Sequence, residues 1–229
     1  MTDVAAIVVA AGQGTRFGSD IPKQFLLLQN RPLIVHSLER LQSAAAVSQI
    51  VVVVGKEWVS YMGREIVGRY NFDKVSAVIP GGKERQDSVL AGLQAFSTPH
   101  KIVVVHDAVR PLFSLGLLER VLKGCANFDA CVPGLPSRDT VKRIIDDRVV
   151  ETVPRESLRL VQTPQAFRYQ SLMQAFKKAS ATNFYSTDEA ALVEKFGGHA
   201  GWTEGEETNL KITTRRDLQI AELFLREIA

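Results

Sequence analysis

Cysteine is nearly absent: Cys125 and Cys131 are the only two among 229 residues. They lack metal-ligand spacing and cannot build a disulfide framework. Their scarcity fits a reduced compartment, a cytoplasm or a plastid-like stroma. Long hydrophobic runs are missing as well. The N-terminal run 4–11 ends at Gly12, far short of the ~20 residues that span a bilayer. It has no basic lead of the targeting kind, so it reads as a buried strand. Charge of one sign is also missing. Twenty-eight Lys and Arg face 25 Asp and Glu, a net charge of +3. With no basic run and no aromatic-basic stacking motif, nucleic acid and membrane are both excluded as expected partners. Repeats, low-complexity tracts and linkers are not found. What remains is 45% hydrophobic and 23% charged, the composition of a globular protein able to bury a core. One domain over 1–229, with an inserted arm at 138–162, is the economical organisation.

Short β-branched runs alternate with helical patterns. Strands are expected at 4–10, 49–54, 75–79 and 101–106, nearly continuous in apolar residues, as when both faces of a parallel sheet are covered. Helices are expected at 32–43, with Pro32 in the first turn, at 56–69, and at 84–96. This order predicts an α/β fold: a single doubly wound, mostly parallel, Rossmann-like sheet with ligand loops at the carboxyl ends of its strands. The rhythm breaks after Pro133. Segments 140–145 and 148–153, joined at Asp146-Asp147, read as a protruding β-hairpin too poor in apolar residues to stand alone. It packs either on its own domain or on a second subunit. Helices return at 169–181 and 187–196, with Thr187 as N-cap. Short strands are expected at 199–203 and 211–213. A final helix at 214–228 turns Leu218, Ala221, Leu225 and Ile228 inward.

The first strand runs into Ala10-Ala11-Gly12-Gln13-Gly14-Thr15-Arg16-Phe17-Gly18. Glycines let a loop aim its N–H groups at a phosphate. The loop is not a P-loop, because no Gly-Lys-Ser/Thr follows. It also fails as a dinucleotide site. Phe17 occupies the third glycine position, and no acid ends the second strand, where Val54-Gly55-Lys56 stands. An oxidoreductase reading is therefore disfavoured. Arg16, and Lys23 in Pro22-Lys23-Gln24, add two cations suited to a triphosphate.

These motifs resemble those of the nucleotidyltransferases that activate sugar phosphates. Within that group the chain is similar to the cytidylyltransferases of 2-C-methyl-D-erythritol 4-phosphate. The resemblance rests on Pro22-Lys23-Gln24-Phe25, Gly81-Gly82-Lys83-Glu84-Arg85-Gln86-Asp87-Ser88-Val89, His106-Asp107-Ala108-Val109-Arg110-Pro111 and Arg138-Asp139-Thr140-Val141-Lys142-Arg143. Thr163-Pro164-Gln165, Thr187-Asp188-Glu189-Ala190 and Asn209-Leu210-Lys211-Ile212-Thr213 complete it. The motifs run in family order along the whole chain. The resemblance implies transfer of CMP from CTP to methylerythritol phosphate, with release of pyrophosphate and a divalent cation, Mg²⁺, as cofactor. It assigns Arg16, Lys23 and Lys211 to catalysis. It places the nucleotide on Ala10, Ala11, Gly12, Gly14, Thr15, Gly82, Lys83 and Ser88. It places the phosphoalcohol on Asp107, Arg110, Thr140, Arg155, Thr163 and Thr187, and the metal on Asp107. His106 is expected to be structural, and Arg85 to brace the base loop. Arg155 would reach the site from the arm of a partner subunit, so a homodimer is implied. Lys83 stands where many relatives carry an acid, and Pro154 where an acid is also common. The nearest alternative is a ribitol 5-phosphate cytidylyltransferase; Asp87-Ser88 and Lys142-Arg143 lean away from it. A non-catalytic nucleotide-binding module is the alternative from another class, and it would make Lys23 and Lys211 dispensable.

Overall fold

The computed structural model describes residues 3–12 and 21–228, the last by its backbone. In chain order the strands are β1 (Val4–Ala10), β2 (Leu27–Leu28), β3 (Arg31–Pro32), β4 (Val47–Val54), β5 (Val75–Pro80), β6 (Ile102–Asp107), β7 (Ala130–Pro136), β8 (Val141–Ile145), β9 (Arg148–Val153), β10 (Arg159–Val161), β11 (Gln165–Arg168) and β12 (Ala200–Glu204). The helices are α1 (Leu33–Ser43), α2 (Val59–Tyr61, continuing as a π-helical turn Met62–Gly68), α3 (Arg85–Gln94), α4 (Leu115–Gly124), α5 (Tyr169–Thr182), α6 (Glu189–Lys195) and α7 (Arg215–Ile228).

The main sheet runs β10-β7-β11-β6-β1-β4-β5, with β12 also paired to β7. β6, β1, β4 and β5 are mutually parallel, and β12 is parallel to β7; β11 and β10 run against their neighbours. The mostly parallel sheet expected from the apolar runs is present. Its faces follow from the two-residue period of a strand. Ala6, Val8, Ile50, Val52 and Val104 enter a core with Leu38 of α1 and Leu117 of α4. Ala5, Ile7, Val51, Val53, Val103 and Val105 enter the opposite core with Leu93 of α3 and Phe176 of α5. Ile7 is fully buried, and cutting it to Ala would cost about 2–5 kcal/mol. A Cβ on Gly92 would lie 2.7 Å from Ile7 Cγ2, so glycine lets α3 press onto β1. A third cluster, Leu28, Leu33, Leu112, Ile212 and Ala221, seats α7 beside β2 and β3, with Leu218 and Leu225 packed on it. The inward turn expected of Ile228 lies outside the described side chains.

The register fixes where chemistry can occur. Val9 lies beside Asp107, Ala10 beside Val54, and Val54 beside Pro80. The carboxyl ends of four strands therefore converge, where open α/β sheets take their ligands.

Several expectations need correction. Pro32 caps α1 instead of entering its first turn. Segment 56–69 is a succession of 3₁₀, α and π turns. Asp188, not Thr187, caps α6: its carboxylate accepts from the Ala191 N–H at 2.9 Å. No strand forms at 211–213; the Ile212 N–H instead makes one bond to the Val109 carbonyl. The hairpin is β8–β9, a separate two-stranded sheet. Asp146 and Asp147 both have positive φ, 46° and 61°, as a tight hairpin turn requires. Ile144, Ile145, Val149 and Val150 on it are exposed.

Candidate active site

Two cavities open side by side at the carboxyl ends of β1, β5 and β6. The first, about 180 Å³, is lined by Ala10 at the end of β1 and Ala11 and Gly12 just past it, Lys23 and Gln24 from the following turn, Gly82 to Glu84 from the loop entering α3, and Arg85 and Ser88 from the first turn of α3. The second, about 200 Å³, is lined by Arg110, Gln162, Thr163, Gln165, Thr187 and Asp188. Arg85, Asp107 and Lys211 line both and form the wall between them.

The first cavity is built by close backbone approach. A Cβ on Gly81 would fall 2.5 Å from Ala11 Cβ and 2.8 Å from Ser88 Oγ, so only glycine brings the α3 loop against β1. Ser88 is buried. Its hydroxyl donates to the Glu84 carbonyl and accepts from the Gly82 N–H, each at 3.2 Å. One lone pair then remains to accept from a ligand amino group. Gln24, also buried, donates to the Ala10 carbonyl at 2.6 Å. That bond ties the Lys23 turn to the end of β1. The sequence contained Gln24 in a motif but assigned it no role. Its use depends on a contact across fourteen positions.

Asp107 ends β6 and is 7% exposed. Its Oδ2 lies 2.7 Å from Lys211 Nζ and 4.0 Å from Arg110 Nε, and its Oδ1 lies 3.4 Å from Arg85 Nε. Burial alone would raise its pKa; Arg85, Lys211 and Arg110 together hold it well below the usual carboxylate range. Burial likewise works against the Arg85 charge, and Glu189 and Asp107 outweigh it. The Asp107 N–H donates to Thr163 Oγ1 at 3.0 Å, and that hydroxyl lies 3.1 Å from His106 Nδ1. His106 Nε2 lies 3.2 Å from the Arg110 carbonyl. The Arg110 carbonyl requires Nε2 to donate, and in the neutral ring Nδ1 then accepts from the Thr163 hydroxyl. Burial pushes His106 down to about 3, which keeps it neutral. Thr163 thus braces Asp107 from behind. Asn209, fully buried, donates to the Thr163 carbonyl at 2.9 Å and accepts through its backbone carbonyl from Arg110 Nη1 at 2.9 Å. The sequence assigned Asn209 no role either.

The candidate residues therefore divide. Ala10, Ala11, Gly12, Lys23, Gly82, Lys83 and Ser88 meet around the first cavity, and Arg110, Thr163 and Thr187 around the second; Asp107 and Lys211 belong to both. Thr140 and Arg155 line neither. Arg155 is exposed on the arm, where its Nη1 donates to the Arg138 carbonyl at 2.7 Å. Gly14, Thr15 and Arg16 lie outside the described residues. Among the described residues no group of three or more His, Cys, Asp or Glu could hold a metal ion unaided.

Comparison with known families matches residues 4–227 to 2-C-methyl-D-erythritol 4-phosphate cytidylyltransferase. The chain belongs to that family. Cytidylyltransferases are nucleotidyltransferases, and this chain is an enzyme of that kind. It is 42% identical to the 2-C-methyl-D-erythritol 4-phosphate cytidylyltransferase of Pelotomaculum thermopropionicum over 227 residues, 99% of this chain and 95% of the relative. Among solved structures it is similar to the enzyme of the same name from Thermus thermophilus. Identity there is 35%, TM-score 0.77, with 99% and 100% of the two chains covered. It is also similar to the 4-diphosphocytidyl-2C-methyl-D-erythritol synthase of Anaerococcus prevotii, at 27% identity and TM-score 0.86, covering 98% and 96%. The ribitol phosphate alternative is not favoured. No helix of this cytidylyltransferase, among the described residues, is long and apolar enough to cross a membrane.

Proposed function

We propose that this chain transfers the cytidylyl group of CTP to 2-C-methyl-D-erythritol 4-phosphate. An oxygen of the substrate phosphate attacks the α-phosphorus of CTP, the bond to the bridging oxygen breaks, and pyrophosphate leaves. The observation that carries the reading is the pair of cavities sharing the Asp107–Arg85–Lys211 wall, in a chain of this family. Two ligands held on either side of one cationic wall are two reactants held in proximity.

The physical problem is charge. A triphosphate brings roughly −4 and a phosphomonoester roughly −1.5 to −2, so catalysis is positioning plus electrostatic stabilisation, with no protein nucleophile. In this reading the backbone from Ala11 through Gly12 and Gly14 to Thr15 cradles the triphosphate. Arg16 and Lys23 stabilise charge on the α-phosphate and the departing pyrophosphate. Lys211, reaching both cavities, steadies the attacking phosphate. Ala10, Gly82, Lys83 and Ser88 read cytosine, the spare Ser88 lone pair suiting its amino group. Asp107, Arg110, Thr140, Thr163 and Thr187 hold the phosphoalcohol, and Arg155 enters from the arm of a second copy. The exposed Ile144, Ile145, Val149 and Val150 support an arm that packs on a partner.

The residues suit a metal that arrives with the nucleotide. Asp107 and Glu84 both line the first cavity; Asp107 is ionised, with Lys211 on its Oδ2 and its Oδ1 more loosely held, and Mg²⁺ typically takes one or two carboxylates together with substrate phosphates. Asp107 would hold it, and the ion would neutralise part of the phosphate charge.

The test is pyrophosphate release with CTP and methylerythritol 4-phosphate against ribitol 5-phosphate, each repeated with UTP and with EDTA. Metal-dependent turnover confined to CTP with methylerythritol phosphate is the expected result. Preference for ribitol phosphate would overturn the substrate. CTP binding without turnover would favour the non-catalytic module.

A further inference from the structure

Glu189 opens α6 and is 2% exposed, yet none of the roles above uses it. Both of its carboxylate oxygens accept from one nitrogen of Arg85, Nη1, at 2.7 and 2.6 Å. Arg85 Nε lies farther from Asp107, at 3.4 Å. The guanidinium is thus shared unequally: Glu189 holds it closely and Asp107 only loosely. A buried ion pair of this kind is weak evidence for stability, because well-packed neutral groups often serve as well. Its placement is more telling. Arg85 stands in the wall between the two cavities, and a planar guanidinium released from Glu189 would find its next carboxylate on Asp107, where a two-nitrogen grip is available.

We infer that Glu189 is a positioning residue for the second substrate: by holding Arg85 back, it keeps the guanidinium from closing on Asp107 Oδ1, the oxygen Lys211 does not hold, so that this oxygen can meet the phosphoalcohol. This rests on the reading of the second cavity as the phosphoalcohol site. Without the Glu189 charge, Arg85 swings onto Asp107 and the phosphoalcohol must compete with it. The first cavity keeps its walls, so CTP binding changes little. A purely structural Glu189, favourable only as an acid in the first turn of a helix, would produce no such division between substrates.

The experiment is steady-state pyrophosphate release by the full chain, varying each substrate at saturation of the other, in wild type, E189Q and E189D. E189Q should raise KM for methylerythritol phosphate about tenfold or more and leave KM for CTP within about twofold. E189D keeps the charge but stands one methylene short of Arg85, and should raise the same KM less, about threefold, again sparing CTP. An unmoved phosphoalcohol KM in E189Q, or a KM for CTP that rises alongside it, overturns the inference. If E189Q does not fold, E189D decides alone: a rise confined to the phosphoalcohol sustains the inference, and an unmoved KM or a rise for both substrates overturns it. Absence of wild-type turnover overturns the functional reading and this assignment together; wild-type turnover with an unmoved KM overturns the assignment alone.

Discussion

Replacing Lys211 by Met removes one charge and keeps most of the stem. Its Nζ is 2.7 Å from Asp107 Oδ2, and its side chain is 39% exposed, so it is anchored yet can reach either cavity. If it steadies charge on the reacting phosphates, losing it removes about 3 kcal/mol of transition-state stabilisation, roughly 10²-fold in kcat. The folded state should hardly notice. Asp107 keeps Arg85 at 3.4 Å and Arg110 at 4.0 Å, so no buried charge is orphaned. The pair is exposed only at its Lys211 end, and with two cations left on Asp107 its loss costs about 1 kcal/mol. For a domain of this size that is a Tm shift of about 4 °C at most. Initial rates of pyrophosphate release and a thermal melt measure both quantities. A kcat within about threefold of wild type would refute the catalytic role. A Tm drop beyond about 10 °C would show that Lys211 is chiefly a structural counterion.

Lys23→Ala should lower kcat about 10²-fold with an unchanged melt; near-normal turnover removes Lys23 from the catalytic set. Arg155→Ala should raise KM for the phosphoalcohol and spare CTP; if it acts across a dimer, mixing it with Lys211→Met should restore about a quarter of wild-type activity at phosphoalcohol well below that KM, since half the dimers would be mixed and each would have one intact site. No recovery on mixing would mean that Arg155 does not act across subunits. His106, held down to about 3 against an ordinary 6.5, stays neutral in the folded protein where the unfolded chain takes up a proton. Stability should therefore fall as pH drops below about 6.5 toward 3, by up to about 1.4 kcal/mol per pH unit from this group. Urea unfolding at pH 7, 6 and 5 should give a shallower pH slope for His106→Asn than for wild type, and equal slopes would contradict the assignment.

The sequence disclosed what depends on local pattern. β1, β4, β5 and β6 are near-continuous apolar runs because both faces are covered, and that signal survives without any structure. β7 escaped notice because Pro133 and Gly134 sit inside it. In the sheet that segment pairs with β12 and β10, and its glycine accommodates Arg159, whose Cβ would lie 2.8 Å from a Cβ at that position. At the start of α6 the sequence offers two good caps, Thr187 and Asp188, and only the Asp188 bond to the Ala191 N–H decides between them. The motif residues at the site were legible by type. Their partnerships were not: Arg85 and Glu189 are 104 positions apart, and no periodicity joins them.

Those partnerships explain how the free protein tolerates its own site. Arg85, Arg110 and Lys211 line the second cavity, and Asp107 and Asp188 line it with them, while Glu189 pairs with Arg85. Among the described residues three carboxylates thus answer three cations, so a phosphate gains a partner only where a cation can leave its carboxylate. The cations are not equally available. Arg110 is 11% exposed and Arg85 29%, against 39% for Lys211. Arg110 is further fixed to the Asn209 carbonyl, and Arg85 to Glu189. Lys211 is the cation whose bond to Asp107 can be exchanged for one to a phosphate at least conformational cost, because a flexible ammonium can turn between acceptors where a planar guanidinium cannot. On this reading Asp107 is a resident counterion that keeps Lys211 in place until a phosphate supplants it. Lys211→Arg should accordingly retain the pair with Asp107 and the melt, but recover less than about a tenth of wild-type kcat; full activity in that variant would show that charge alone, without the exchange, is enough.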